Sequence, residues 1–176
     1  ELASKGAKVI LISGKTHLKT SNPNIKLINI VSAQEMFDET IKHFPQCNGA
    51  ILSAAVADYK PAFIAPNKIK KTSQELSITI TPTCDILATL GKEKKENQIL
   101  IGFALETDNE VENAKNKLKK KNLDFIVLNS LNDKGAGFEV STNKITIIDK
   151  DEKVKNFELK SKEDVAKDIV NKLIEL

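Results

Sequence analysis

The chain has no tryptophan, one tyrosine and two cysteines, and no apolar run in it nears the roughly 20 residues needed to cross a bilayer. Cys47 and Cys84 stand apart without CxxC spacing, and His17 and His43 add no zinc-like cluster. A disulfide framework and a structural zinc site are therefore excluded, and two buried free thiols are expected. The opening "ELASKGAKVILIS" has neither a basic n-region nor a small-residue cleavage site, which argues against export and points to the cytoplasm. No GxGxxG and no GxxxxGK[ST] occurs, so the glycine-rich nucleotide fingerprints are missing. The Tyr-x-x-x-Lys pair of short-chain oxidoreductases is missing too, because Tyr59 is followed four residues later by Phe63. Aromatic residues make up only 5% of the chain and none surrounds the lysine clusters, so the stacking platforms of a single-strand nucleic-acid binder are lacking.

What is present fits one α/β domain. A length of 176 residues with 40% hydrophobic and 29% charged residues allows a continuous core without staples. Short β-branched runs alternate with longer amphipathic stretches, the pattern of a Rossmann-like, mostly parallel sheet flanked by helices. Strands are expected at "KVILIS", "IKLINIV", "GAILSA", "LSITI", "QILIGF" and "DFIVLN", and helices at 33–43, 84–95, 107–121 and 162–175. "NKITIID" and "KVKNFELKS" read as a β-hairpin added after the parallel strands, which would make the sheet mixed. Ser161 is the expected N-cap of the last helix. At the front, "ELASKG" reads as a helix tail with a C-terminal glycine, so the domain, 1–176, is expected to be truncated at its N-terminus.

The net charge of +3 is small, but lysines cluster in "KIKK" and "KLKKK", which suggests a local anionic partner. In "SAAVADYKPAFIAPNKIKK" a strand delivers small residues and Asp58 to the carboxyl edge of the sheet, where open α/β folds bind ligands. Asp58 could orient a divalent cation or a sugar hydroxyl, with Lys68, Lys70 and Lys71 neutralising phosphate; equally, Asp58 could cap a turn beside a solvated lysine loop. Phe103, at the tip of "IGFALET", could stack on a base or simply pack in the core. Lys117 and Lys121 share one helix face, either as compensation of the helix dipole or as cations reaching over the cleft. "GAGF", 135–138, offers two glycines for a turn or a close ligand approach. Cys84 sits near a helix start, but neither histidine is related to it as a base would be.

Taken in order, "SAAVADYKPA", "NKIKK", "CDIL", "GFALET", "KNLDFIVLN" and "GAGF...NKITII" resemble the bacterial phosphopantothenate–cysteine ligase family of coenzyme A biosynthesis, over nearly the whole chain. The resemblance implies activation of 4'-phosphopantothenate by CTP, an acyl-cytidylate intermediate, and attack by L-cysteine, with Mg²⁺ supporting the triphosphate. It implies that Ala54, Ala55, Asp58, Lys68, Asp85, Ile86, Phe103, Lys117 and Lys121 bind the nucleotide, that Asp58 lies near the metal, and that Lys68 is catalytic. A homodimer is also implied, with the hairpin of residues 143–159 as the expected interface because the core sheet does not need it. FMN enters only if a flavin-dependent decarboxylase domain precedes this one. Thr83 and Cys84 replace the Asn-Pro common in the family, which leaves base recognition there open. The family's N-terminal strand, glycine-rich loop and acyl-substrate residues have no counterpart, so a polypeptide truly starting at Glu1 is expected to show little ligase activity and a defective sheet. A nucleotide- or nicotinamide-binding α/β oxidoreductase and a nucleic-acid-binding module are the alternatives.

Overall fold

The structure, a computed structural model, describes residues 1–71, 75–130, 132 and 140–176. Its centre is a five-stranded mixed sheet of order β10-β9-β7-β6-β3, formed by β3 (Gly49–Leu52), β6 (Ile99–Glu106), β7 (Phe125–Ser130), β9 (Ile145–Asp149) and β10 (Val154–Asn156). Strands β3, β6 and β7 run parallel, while β9 and β10 add antiparallel. The fold is the α/β architecture the alternating pattern predicts.

Period-2 alternation along the central strands splits the core into two layers. Leu100, Ala104, Ile126 and Leu128 point to one face, packed with Ile86, Leu87 and Leu90 of α2 (Ile86–Glu93) and with Ala114 and Leu118 of α3 (Glu110–Lys120). Ile101, Phe125 and Val127 point to the other, against Val165 and Ile169 of α4 (Lys162–Ile174). Because both faces are covered, these strands read as continuous apolar runs in sequence.

The helix starts follow from capping chemistry. In α1 (Ala33–His43), the Ser32 Oγ accepts from the Glu35 N–H, and Glu35 returns a bond to the Val31 N–H, satisfying backbone donors that the first turn leaves free. Asp85 and Ser161 cap α2 and α4 in the same way, accepting from the Ala88 and Asp164 N–H groups. The front of the chain forms one 3-10 turn, Ala3–Lys5, closed by Gly6 at φ +91°. That positive φ suits glycine, and it matches the helix-tail reading of "ELASKG".

Three expectations need correction. "LSITI" does not join the main sheet: only β5 (Ile80–Pro82) is a strand, paired antiparallel with β4 (Tyr59–Pro61) in a separate ribbon. Its alternation of Leu76, Ile78 and Ile80 with Ser77 and Thr79 is the signature of a sheet with one apolar face, not of a doubly covered strand. Second, the hairpin is no appendage. Ile145, Ile147 and Ile148 of β9 are buried, and β9 hydrogen-bonds along β7, so the core sheet requires it. Third, Cys84 is exposed and Cys47 half-buried. Strands β1 (Val9–Ser13) and β2 (Ile25–Asn29) pair in parallel as their own two-stranded sheet, and α1 packs against β1 as well as against the main core. Short strands β8 (Thr142–Asn143) and β11 (Lys160–Ser161) tie the hairpin segment to the start of α4. "GAGF" lies outside the described residues.

Candidate functional site

The carboxyl ends of β3 and β6 and the start of α2 converge on one group of charges. After β3 the chain passes through Ala54, Ala55 and Asp58, all exposed. This loop is clipped to the approach of α2 by two bonds from one residue, the Thr83 N–H to the Asp58 carbonyl at 2.8 Å and the Thr83 hydroxyl to the Ala57 carbonyl at 2.7 Å. Thr83 therefore has a structural task.

Asp85 carries two loads. One carboxylate oxygen caps α2 through the Ala88 N–H at 2.9 Å, and the other meets the Lys121 ammonium at 2.8 Å. Partial burial pushes this carboxyl upward, but the Lys121 hydrogen bond, the Ala88 N–H and the charges of Lys121 and Lys117 outweigh it and hold it below its ordinary value. Lys117, one helical turn earlier and half-buried, donates to the Phe103 carbonyl at 2.9 Å. Burial lowers its pKa, and so does the neighbouring Lys121 charge; Glu106, Asp85 and Asp58 offset this only in part. Two lysines forced together and partly desolvated gain from any anion that reaches them.

The close approach of the helices makes this possible. A Cβ on Gly91, near the end of α2, would collide with the Lys121 carbonyl, and the Asn122 amide, at φ +51°, donates to the Gly91 carbonyl at 2.9 Å. Lys121 is thus anchored by its main chain at the far end of α2 while its ammonium reaches the cap at the near end.

The structure therefore brings together Asp58, Asp85, Lys117 and Lys121, with the Phe103 carbonyl beneath them. The Phe103 ring packs toward the core layer that α4 covers, and Ile86 is buried in the opposite layer, so each contributes packing through its side chain. Lys68, Lys70 and Lys71 lie exposed on the loop between β4 and β5, and among the described residues no hydrogen bond or ion pair joins Lys68 to the group. Every one of the 27 basic residues in the chain is lysine, so any phosphate must be met by point charges and not by the bidentate fork of arginine.

Among the described residues no group of three or more His, Cys, Asp or Glu could hold a metal. Asp58, alone in the loop between β3 and β4, suits a Mg²⁺ that arrives on a nucleotide, since that ion commonly keeps its waters and takes one or two carboxylates along with substrate phosphates. The residues present fit such a shared ion and no all-protein site.

Away from this group of charges a cleft of about 730 Å³ opens beside the first turn of α3 and the hairpin, lined among others by Thr107, Glu110, Ser130, Asn132, Lys144 and Phe157. Glu110 accepts from the Ser130 hydroxyl and the Asn132 amide there. Sequence reading missed it because its walls come from three segments far apart in the chain. The one local signal was "ETDNE", whose acids mark a helix start but not a cavity.

All of residues 1–176 match the family described as DNA/pantothenate metabolism flavoprotein C-terminal domain. A prokaryotic protein of unknown organism, named cysteine/cysteine sulfinic acid decarboxylase, is 52% identical over 99% of this chain and 48% of its own length. The coenzyme A biosynthesis bifunctional protein CoaBC of Haemophilus influenzae is 39% identical over 98% of the chain and 42% of its own length. The solved C-terminal domain of a bifunctional CoaBC protein superposes with a TM-score of 0.79 at 36% identity, over 98% of this chain and 78% of that one. The chain spans about half the length of the curated relatives it matches. With the match running from its first residue to its last, the chain belongs to the family of DNA/pantothenate metabolism flavoprotein C-terminal domains.

Proposed function

We propose that this domain is the ligase part of a coenzyme A biosynthesis enzyme, joining 4'-phosphopantothenate to L-cysteine after activation with CTP. The observation that carries the reading is the pair Lys117 and Lys121, held beside Asp85 and Asp58 at the carboxyl edge of the sheet. A carboxylate attacking an α-phosphorus brings anion to anion, and charge then spreads onto the departing pyrophosphate. Preorganised cations, one of them partly desolvated, are what that step needs. The new bond is carboxylate oxygen to α-phosphorus, and the bond lost joins that phosphorus to pyrophosphate. The cysteine amine then attacks the acyl carbon, CMP leaves, and the amine proton is released.

In this reading Ala54 and Ala55 let the nucleotide lie against the backbone, and Asp85 aims Lys121. The Phe103 carbonyl positions Lys117 under the nucleotide, with the Phe103 and Ile86 side chains supporting the pocket from the core. Asp58 would hold a nucleotide-borne Mg²⁺, which supplies charge neutralisation on the phosphates. Lys68, on its exposed loop, would close over the activated carboxylate and exclude water. The enzyme would act in the cytoplasm as a homodimer, and FMN would belong only to a preceding decarboxylase domain. That no described helix is long and apolar enough to cross a membrane accords with this.

The test is pyrophosphate release by the full-length protein from CTP and from ATP, with Mg²⁺ and 4'-phosphopantothenate, before and after cysteine is added. CTP-dependent release that falls at least 100-fold in Lys68→Ala is expected, on the scale of losing one transition-state contact. No release with either nucleotide would remove the ligase reading. Carbon dioxide from free cysteine, with no pyrophosphate, would point to the chemistry for which the 52%-identical relative is named. Binding that ignores CTP and falls steeply with salt on a nucleic acid would favour the nucleic-acid alternative.

A further inference from the structure

Thr83 stands where three parts of the candidate site meet. It follows directly on β5, it precedes by two positions the Asp85 that caps α2, and it faces Asp58 across the root of the β4–β5 ribbon. The register sets Tyr59 against Pro82 and Lys60 against Thr81. The bond from the Thr83 N–H to the Asp58 carbonyl carries that pairing one step past the strand ends, to Asp58 opposite Thr83.

Residues opposite one another in an antiparallel pair share a face, and faces alternate along each strand. Asp58 and Thr83 thus lie on the face of Lys60 and Thr81, which the Lys60 ammonium ties to Gln34 of α1 at 3.1 Å. Tyr59 and Ile80 occupy the other, apolar face, which is open to solvent.

Among the described residues the exposed Asp58 carboxylate makes no hydrogen bond or ion pair, so its direction comes from its own main chain. That main chain is held at two places. On one side Val56 packs against the core layer that α2 covers. On the other, Thr83 alone holds both carbonyls that flank the Asp58 Cα. Its hydroxyl donates to the Ala57 carbonyl at 2.7 Å and its N–H to the Asp58 carbonyl at 2.8 Å. Fixing both peptide units around one Cα fixes the residue's two soft dihedrals, and with them the direction of its side chain. Threonine suits the task, because its β-branch restricts χ1 and holds the short hydroxyl in place.

We infer that Thr83 is a positioning residue for Asp58, setting the direction from which this carboxylate meets a nucleotide-borne Mg²⁺. The inference rests on the nucleotide reading above and deepens it. Mg²⁺ demands near-ideal octahedral geometry, so a carboxylate supplied by an unrestrained loop would serve it poorly. The same clip keeps Asp58 in step with Asp85, two residues beyond Thr83, and so with the Lys121 that Asp85 pairs.

The experiment is calorimetric titration of the full-length protein with CTP, with and without Mg²⁺, in wild type, Thr83→Val, Thr83→Ser, Asp58→Asn and the double variant Asp58→Asn/Thr83→Val. Valine keeps the β-branch and removes only the hydroxyl. The expected result is that Thr83→Val lowers the gain in CTP affinity from Mg²⁺ about fivefold, the scale of one net hydrogen bond, and leaves metal-free affinity within twofold. Thr83→Ser, which returns the hydroxyl, should restore the gain. Asp58→Asn should abolish it, and adding Thr83→Val to Asp58→Asn should change nothing further. Without nucleotide, hydrogen exchange at the residue-83 amide should quicken in Thr83→Val and not in Thr83→Ser. Equal losses with and without Mg²⁺ would mean a structural role only and would overturn the inference. So would an unchanged gain in Thr83→Val, or a further loss in the double variant. Wild type that binds no CTP would remove the nucleotide reading and this inference with it, whereas the other refuting outcomes occur with wild-type binding intact and leave that reading standing.

Discussion

Changing Asp85 to alanine and, separately, to asparagine divides the two loads that this carboxylate carries. Alanine removes both the N-cap of α2 and the partner of Lys121. Asparagine keeps a side-chain oxygen for the Ala88 N–H, and it ranks with aspartate as a cap, so it removes chiefly the ion pair. Loss of the cap costs about 1 kcal/mol, within a range of roughly 0.5–2. The pair is half-exposed on the Asp85 side, so its share is only about 0–1 kcal/mol. Asp85→Ala should therefore lose about 1.5 kcal/mol and Asp85→Asn well under 1. For a chain of this size that corresponds to roughly 3–6 °C for alanine, at ~2–4 °C per kcal/mol. Urea titration and thermal melts monitored by circular dichroism would read both variants. The pH dependence has a definite sign. A carboxyl whose pKa is lowered by folding stabilises the native state above its ordinary value of 3.8, and that contribution disappears as pH falls through the lower, folded value. Wild type should thus lose its advantage over Asp85→Asn in acid. Nucleotide affinity should move further than stability does, because asparagine leaves the Lys121 ammonium unaimed. If asparagine proves as destabilising as alanine, or alanine costs nothing, the division of labour argued for Asp85 is wrong.

Three further outcomes follow from the same geometry. Lys117 is held below its ordinary 10.5, chiefly by burial, so its charged form costs native stability and that cost is lifted as pH rises from the folded value toward 10.5. A bound triphosphate should raise the value again, so CTP binding at alkaline pH should take up a proton; calorimetry in two buffers of different ionisation enthalpy would show it, and equal uptake by Lys117→Met would contradict it. Gly91→Ala drives a methyl into the Lys121 carbonyl and should cost about 1–3 kcal/mol while raising the KM for CTP, since the main chain that carries Lys121 must move; a variant with native melting and native KM would show that the helices have room to part. Lys94→Met strips the partner from Asp124, whose same oxygen also accepts from the Leu100 N–H, both at 2.7 Å. This pair is only partly buried, so a loss of about 2–3 kcal/mol is expected in urea titration, below the 3–5 of a fully buried pair, and Asp124→Asn in the same background should recover part of it.

Much of this could be read along the chain because the responsible forces are local or periodic. Helix α1 falls at the expected 33–43, since "SAQE" places a capping serine three residues before a glutamate, and such a box works wherever it occurs. The doubly covered strands announce themselves as "ILIGF" and "FIVL" because neither face tolerates polar groups. Lys117 and Lys121 are placed on one face by helical spacing alone.

Other features depend on contacts between segments that no local pattern encodes. Whether "LSITI" pairs in the central sheet or in a side ribbon depends on which strand it meets, and its alternation hinted at one covered face without naming the cover. That β9 is indispensable follows from its hydrogen bonds to β7, made across a long connection. The task of Asp85 was fixed by Lys121, thirty-six positions later, and the nearness of the two by a glycine that lets one helix rest on the other's final carbonyl. Sequence by itself determined where helices and strands form and which residues are small, acidic or basic at the sheet's edge, because capping, periodicity and chain direction act within a few residues. Only the tertiary structure decided which of those charges meet, how far burial shifts them, and which apolar face is left uncovered, because desolvation and ion pairing depend on neighbours that the chain brings together only on folding.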